Sequence, residues 1–256
     1  MRIWKFNFGI DKIRREYERR AVSVSGMVGS GKDMLTANVI ERRGLPHISN
    51  CHYNALTMPY DYNALSCGNN TYKDFIEGTL KKYEYPYFDG CDIYLSDCGI
   101  YFPSQYCNEL NKAYRNLPTF MSLTRQLGLS HVHYNAQFCG RVWDKIREMV
   151  DLFIYCRWVK VIKIPIIKKS IVFQLITMYD KYESCVSRIK PCRVTRPFMA
   201  NKEVRTQIQM YKDNFTNTHG MVKNKFLIYI NKADYDTRFF KSMLKLGKEK
   251  NDEKDQ

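Results

Sequence analysis

The sequence predicts an α/β fold in which helices cover both faces of a mostly parallel sheet. Apolar runs of strand length alternate with helical segments from residue 21 to residue 158, and strands that are joined through helices run parallel within one sheet. Hydrophobic residues make up 45% of the 256 residues and aromatic residues 14%, which suffices for a sizeable core. The fold class therefore follows from the order of the elements and from composition.

The individual elements follow from local signals. Gly44 and Pro46 end the helix that begins after residue 32, and Gly128 ends another. The predicted strands are Ala21–Val24, Leu45–Asn50, Asp92–Asp97, His131–Gln137, Asp151–Trp158 and Ile171–Met178. The predicted helices cover 33–43, 72–83, 104–116, 118–127, 141–149 and 201–214.

The chain carries a formal net charge of +15, with a pI near 9.3. This excess of positive charge favours a polyanionic partner, either nucleic acid or an anionic membrane face. The most apolar stretch, Val159–Met178, is interrupted by four lysines, so it predicts two basic strands and no membrane-spanning helix. Nine cysteines without a C-x-x-C pair indicate reduced thiols.

Residues Gly26 to Lys32 form a glycine-rich loop between the first strand and the first helix. The spacing is G-x-x-x-x-G-K, with further members at Gly29 and Ser30 and with Gly31 before the lysine. Glycines allow the backbone N–H groups to turn inward around phosphate oxygens, and the helix N-terminus adds a partial positive charge. We expect these residues to bind ATP, with Lys32 on the outer phosphates.

Asp33 follows the lysine, where this type of loop usually has Ser or Thr as a ligand of Mg²⁺. A carboxylate is a good magnesium ligand, but it repels the phosphates when no metal is present. We therefore expect Asp33 to bind Mg²⁺ and nucleotide binding to depend strictly on that ion. The alternative is a glycine-rich turn without a function.

Asp97 ends an apolar strand, as in the second acidic motif of phosphate-loop proteins. The carboxyl ends of strands are where open parallel sheets bind ligands, so Asp97 is predicted to be catalytic and to share the metal. Cys98 follows, where many such ATPases have a glutamate that orients water, and a thiol is a poor base for water. Slow hydrolysis, a base from elsewhere, or binding without turnover all remain open. The alternative for Asp97 is a cap of a turn.

Five blocks of the sequence, taken in order, resemble the ATPases of the zonular occludens toxin N-terminal domain family from filamentous and related single-stranded DNA phages. That family is similar to the FtsK/HerA motor superfamily. The blocks are SGMVGSGKDMLTANVI, HISN, DIYLSDCGIYFPS, MSLTRQLGLSHVHYNAQ and RVWDKIREMVDLFIYCR, and the resemblance covers roughly residues 20–160.

The resemblance implies an ATPase for phage morphogenesis that acts in the host cytoplasm or peripherally at the inner membrane. By the same resemblance, Gln137 senses the γ-phosphate or positions water, and Arg125 or Arg147 stabilises phosphate charge, across a subunit boundary if the protein is a homo-oligomer. The implied partners are single-stranded DNA or phage assembly proteins. Many members have a membrane span after the ATPase domain, and the sequence shows none here.

The resulting domain hypothesis has three parts. Residues 1–160 form the nucleotide-binding core, residues 161–240 an α+β extension, and residues 241–256 a flexible charged tail. Two further functions stay open beside an ATPase. One is a scaffold that binds nucleotide without hydrolysis, and the other is a basic nucleic-acid or membrane-binding module with a vestigial loop.

Overall fold

A computed structural model describes residues 21–51, 53, 57–59, 90–101, 130–142, 144–164, 169–194, 201–222 and 226–230. The described strands are β1 (Ala21–Gly26), β2 (His47–Ser49), β3 (Thr57–Pro59), β4 (Asp92–Leu95), β5 (His131–Ala136), β6 (Leu152–Ile164), β7 (Lys169–Tyr179) and β8 (Phe226–Ile230). The described α-helices are α1 (Lys32–Arg43), α2 (Cys98–Tyr101), α3 (Asp144–Arg147), α4 (Tyr182–Val186) and α5 (Lys202–His219). The helices predicted at 72–83, 104–116 and 118–127, and the tail at 241–256, lie outside the described residues.

The eight strands form one sheet in the order β3-β2-β4-β5-β1-β6-β7-β8. The six strands from β3 to β6 are parallel, whereas β7 and β8 are added antiparallel. Strand β1 lies between β5 and β6, and β5 separates it from β4. The carboxyl ends of β1, β4 and β5 therefore meet at one edge of the sheet. The mostly parallel α/β fold predicted from the sequence is confirmed.

Both faces of the sheet are covered because side chains alternate between them along each strand. On one face, Val22, Val24 and Ile154 pack with Leu35 and Ile40 of α1. On the other face, a smaller cluster forms around Phe153, Tyr155 and Tyr179, with Cys139 and with Cys185 of α4. Helix α1 thus lies directly above the strands whose ends build the site.

Two predicted elements differ from the observed ones in extent. The helix predicted over Arg141–Met149 is a 3₁₀ turn at Cys139–Arg141 followed by the short α3, because Val142 has an extended backbone between them. The strand predicted to end at Trp158 continues to Ile164. The proposed domain boundary at residue 160 lies within this strand, so the residues on either side of it share one sheet.

Candidate nucleotide-binding site

The loop between β1 and α1 adopts a conformation that depends on glycine at two positions. Gly31 is the N-cap of α1 in the left-handed region, with φ of 84°. A Cβ atom at Gly31 would lie 2.5 Å from Val159 Cγ2, and one at Gly26 would lie 2.5 Å from the carbonyl oxygen of Cys156. Larger residues would therefore push the loop off strand β6 and disturb its curl.

Lys32 is the first residue of α1, and its side chain turns back into the loop. It is only 7% exposed, and its Nζ donates hydrogen bonds to the carbonyl oxygens of Gly26 (3.1 Å) and Met27 (3.3 Å). The ammonium is therefore surrounded by the loop. Because an ammonium has three N–H donors, it can also bind a phosphate oxygen that enters the loop.

This loop wraps a buried lysine at the N-terminus of a helix, after a parallel strand. The chain has the P-loop NTPase fold. Gly29 lies at the exposed turn of this P-loop with φ of 76°, whereas Ser30 is buried, and its Oγ has no hydrogen-bond partner within the described part of the chain. An orphaned hydroxyl inside the P-loop is suited to a ligand that brings its own acceptors.

Asp33 connects α1 to the ends of two strands. Its Oδ1 accepts hydrogen bonds from Ser96 Oγ (2.7 Å) and from Asn135 Nδ2 (3.0 Å). Ser96 follows β4 and Asn135 lies in β5, so this carboxylate reaches across β5 to the strand that delivers Asp97. The first turn of α1 and the acidic strand end therefore belong to one site.

Asp97 adopts a left-handed backbone with φ of 51°, which is uncommon for a residue with a Cβ and clusters at functional sites. Its side chain is half-buried. Burial, and then the neighbouring Asp33 carboxylate, raise the pKa of Asp97, while the Lys32 ammonium opposes this shift. The structure thus brings Lys32, Asp33 and Asp97 together.

Two carboxylates that repel each other beside a phosphate-binding loop fit a divalent cation. Mg²⁺ takes oxygen ligands and is often held by one or two carboxylates plus phosphate oxygens. Asp33 and Asp97 would supply the former and a bound nucleotide the latter. No cluster of three or more His, Cys, Asp or Glu suited to a metal occurs among the residues that the structure describes, so the phosphates would have to complete this coordination.

Cys98 is too buried to act on water. It is 2% exposed, and its thiol donates to the Leu95 carbonyl oxygen at 3.6 Å. Complete burial, reinforced by the nearby Asp97 carboxylate, raises the pKa of Cys98 far above its usual range. The thiol remains protonated at neutral pH and is directed into the protein, away from the site.

Gln137 lies directly after β5, beside the P-loop. Its carbonyl oxygen accepts a hydrogen bond from Gly26 N at 3.2 Å, and its side chain is exposed. This location is compatible with the predicted role of Gln137 as a sensor, which stays a prediction.

Arg125 and Arg147 were both predicted to stabilise phosphate charge, and the structure describes only Arg147. Arg147 Nη1 donates to the hydroxyl of Tyr182, and the guanidinium carbon lies 4.4 Å from the centroid of that ring. Asp151, four residues further on, bonds to Ala21 at the start of β1, so Arg147 lies at the edge of the sheet opposite the P-loop. Within one chain the structure does not bring it to the site, and a role across a subunit boundary stays a prediction. Arg125 lies outside the described residues.

Several residues of the site were missed by sequence reasoning. Asn135 donates to Asp33 and to Thr36 Oγ1 (2.8 Å), and Asn50 clamps the backbone of Ser96 through two hydrogen bonds of 2.7 and 2.8 Å. Polar residues near the carboxyl ends of neighbouring strands were the available signal. Sequence alone does not reveal which strands are neighbours.

His133, part of the H-x-H pattern in β5, forms a hydrogen bond with Thr36 at 3.0 Å. Burial, and then the adjacent His131, lower the pKa of His133 to about 3, so its ring is neutral under ordinary conditions. The residue connects β5 to α1 as a neutral hydrogen-bonding group.

Comparisons with known proteins give structural likenesses only. No protein-family model matches the sequence, and no curated protein matches it. The solved N-terminal domain of zonular occludens toxin from Neisseria meningitidis is similar, with 13% identity over 73% of this chain and 97% of that chain and a TM-score of 0.42. The genome packaging NTPase B204 of Sulfolobus turreted icosahedral virus 2 is 15% identical over 54% of this chain and 75% of that chain, with a TM-score of 0.35. EssC of Geobacillus thermodenitrificans is 9% identical over 78% of this chain and 44% of that chain, with a TM-score of 0.38.

Proposed function

We propose that this chain is an ATP-binding phage morphogenesis protein that hydrolyses Mg²⁺-bound ATP to drive the assembly, packaging or extrusion of a single-stranded DNA phage. The observation that carries the nucleotide part is the enclosure of Lys32 by the P-loop, with Asp33 and Asp97 beside it. The order of the sequence blocks, which resemble zonular occludens toxin domains, supports the phage part.

The division of labour among the residues follows from their positions. The backbone N–H groups of the P-loop and the Lys32 ammonium would bind the β- and γ-phosphates. Asp33 and Asp97 would hold Mg²⁺, which neutralises phosphate charge when it is bound. Gln137, at the same edge, would orient the attacking water through its amide.

The first experiment measures the affinity for a nonhydrolysable ATP analogue in the presence of Mg²⁺. Lys32→Ala should weaken binding at least about tenfold, because a desolvated charge contact to phosphate is lost. Lys145→Ala is a matched control, since Lys145 is an exposed lysine. Equal affinity in wild type and Lys32→Ala would remove the proposed site.

The second experiment concerns the metal. Without Mg²⁺, Asp33 and Asp97 both face the incoming phosphates, so wild type should bind nucleotide far more weakly when the ion is chelated. Asp33→Ser removes one negative charge but keeps an oxygen ligand, and it should reduce this difference. An unchanged ratio of affinities with and without Mg²⁺ in Asp33→Ser would argue against a direct role of the carboxylate.

A second candidate function is a scaffold that binds ATP without hydrolysing it. The burial of the Cys98 thiol favours it, because that position offers no base for water. A hydrolysis assay with and without single-stranded DNA separates the two functions. Turnover at ordinary ATPase rates that Asp97→Ala abolishes would exclude the scaffold.

The partner is proposed to be an anionic polymer or surface, and single-stranded DNA is the first choice. Strands β6 and β7, with their connection, contain no acidic residue from 152 to 179. Trp158 (41% exposed) and the exposed Lys160 lie on one face of β6 and together offer stacking and phosphate contacts, and the exposed Lys163 adds positive charge on the opposite face. The test is the salt dependence of oligonucleotide binding. Lys160→Gln with Lys163→Gln should lower its slope, and Lys190→Gln with Lys202→Gln is the control.

No helix in the part of the chain that the structure describes is long and apolar enough to cross a membrane. A location in the host cytoplasm, with peripheral contact to the anionic inner membrane, and assembly into a homo-oligomer are parts of the same proposal. Binding to vesicles that contain anionic lipid, and not to neutral vesicles, would support the membrane contact. Sedimentation with nucleotide present tests the oligomer.

A further inference from the structure

A glutamine far from the P-loop in sequence contacts it directly. Gln174 lies in β7, and its side chain is fully buried. Its Nε2 donates hydrogen bonds to two successive carbonyl oxygens of the P-loop, those of Ser30 (2.9 Å) and Gly31 (3.0 Å). Both N–H groups of one amide are therefore directed at the P-loop backbone.

The cross-strand partner of Gln174 contacts the same point. Val159 in β6 pairs with Gln174, and its Cγ2 lies 2.5 Å from where a Cβ of Gly31 would be placed. Gln174 Nε2 is 3.0 Å from the same position. These two side chains pack directly against Gly31, which explains why there is no space for a side chain at this residue.

Peptide geometry gives the contact a consequence for phosphate binding. In a trans peptide the C=O and the following N–H point in opposite directions. A Ser30 carbonyl directed at β7 therefore directs the Gly31 N–H away from β7. The Gly31 carbonyl also accepts a hydrogen bond from Leu35 N of α1 at 2.9 Å, so Gln174 and α1 together orient the Lys32 N–H. These two amides lie at the N-terminus of α1, where a bound phosphate would accept their hydrogen bonds.

The chemistry of the position favours this role over simple core packing. Successive residues of one strand face are two apart, and Ile176 and Met178 on the same face of β7 are apolar and buried in the core. The Oε1 of Gln174 is buried and has no hydrogen-bond partner within the described residues. A buried acceptor without a partner is unfavourable, so an apolar side chain would be expected here unless the two N–H donors were needed.

We propose that Gln174 is a positioning residue, which holds the Ser30 and Gly31 carbonyls so that the Gly31 and Lys32 amides are presented to phosphate. This inference rests on the proposed nucleotide-binding function. Gln174 itself does not touch the ligand. Strands β6 and β7 thereby provide the support beneath the P-loop, although they follow the sequence motif by more than a hundred residues.

The test compares two apolar variants that lack the N–H donors, Gln174→Met and Gln174→Leu, with the conservative core variant Ile176→Val. The affinity for the Mg²⁺-bound ATP analogue should fall about tenfold or more in both Gln174 variants, because the Gly31 and Lys32 backbone amides lose hydrogen bonds that direct them towards phosphate. It should not change in Ile176→Val. Thermal unfolding confirms that each variant is folded, and Gln174→Leu serves if Gln174→Met does not fold.

A site-specific readout separates positioning from general stability. Inorganic tripolyphosphate with Mg²⁺ should shift the amide NMR signals of Gly31 and Lys32 downfield in wild type and in Ile176→Val, but much less in Gln174→Met. Wild-type affinity and wild-type shifts in folded Gln174→Met would overturn the inference. If Lys32→Ala loses binding while Gln174→Met retains it, only this inference fails. If Lys32→Ala also binds normally, the proposed function fails first.

Discussion

Replacing Arg43 with alanine should destabilise the protein without weakening nucleotide binding. Arg43 is the last residue of α1 and forms an ion pair with Asp92 in β4, through Nε to Oδ2 and through Nη2 to Oδ1 at 2.9 Å. The Asp92 side chain is 1% exposed and that of Arg43 is 22% exposed. The variant therefore leaves a buried carboxylate without its cation.

The size of the effect follows from what remains around Asp92. Removing one partner of a buried ion pair costs about 3–5 kcal/mol. The hydroxyls of Tyr94 and Ser130 still donate to this carboxylate, which places the expected loss near the lower limit, at about 3 kcal/mol. For a chain of this size that corresponds to a fall in the melting temperature of roughly 6–12 °C.

Thermal and urea unfolding, followed by circular dichroism, measure the loss. Asp92→Asn in the Arg43→Ala background removes the unpaired charge and should recover part of the stability. About ten residues of helix, or about 15 Å, separate Arg43 from Asp33, so the affinity for ATP in the folded variant should stay at the wild-type value. A loss below about 1 kcal/mol, or a tenfold loss of affinity at full stability, would refute this reasoning.

Three further predictions concern ionisable groups near the site. Burial and Asp33 raise the pKa of Asp97, so the metal-free protein should lose stability as the pH rises from about 4 through that raised pKa. The Asp97→Asn variant should lack this loss and therefore melt at a higher temperature at pH 7. It should also bind Mg²⁺-ATP more weakly. Because burial lowers the pKa of His133 to about 3, its contribution to stability should disappear as the pH falls from about 6.5 towards 3, and His133→Gln should show a smaller loss in acid melting curves. Cys98→Glu should lower the free energy of unfolding by about 3 kcal/mol, because it buries a carboxylate beside Asp97, and it should not increase ATP hydrolysis. The control Cys98→Ser should melt near the wild-type temperature. Faster turnover in folded Cys98→Glu would contradict the burial argument.

The parts of the site that could be predicted from the sequence are those fixed by neighbours along the chain. The glycines, Lys32 and the beginning of α1 lie within a few residues of one another. Asp97 was predictable because carboxyl ends of parallel strands gather at one edge, even when β5 lies between β1 and β4. Two strand spacings of about 4.8 Å each can be spanned by Asp33 and its hydrogen bonds to Ser96 and Asn135.

The parts that could not be predicted depend on the order of the strands in space. Gln174 reaches the P-loop only because β6 pairs with β1 and β7 pairs with β6. The apolar pattern of β7 gives no indication of which edge it joins. The predicted end of β6 at Trp158 was too early, because β6 continues through Lys160 and Lys163 to Ile164, and exposed positions of a strand accept lysine readily.

Hydrogen bonds from residues outside the P-loop hold its backbone at both ends. This arrangement suits a loop whose lysine must exchange backbone carbonyl oxygens for a phosphate when a ligand binds. The Gln137 carbonyl holds Gly26 N at one end, and Gln174 holds the carbonyls of Ser30 and Gly31 at the other. Inside the P-loop, Lys32 bonds only to the carbonyl oxygens of Gly26 and Met27 among the described residues. A phosphate can therefore compete for the ammonium while the outer hydrogen bonds keep the backbone in place. Binding to such a preformed loop avoids the entropy cost of ordering it, so loss of an outer support should reduce affinity even though every charge in the site is retained.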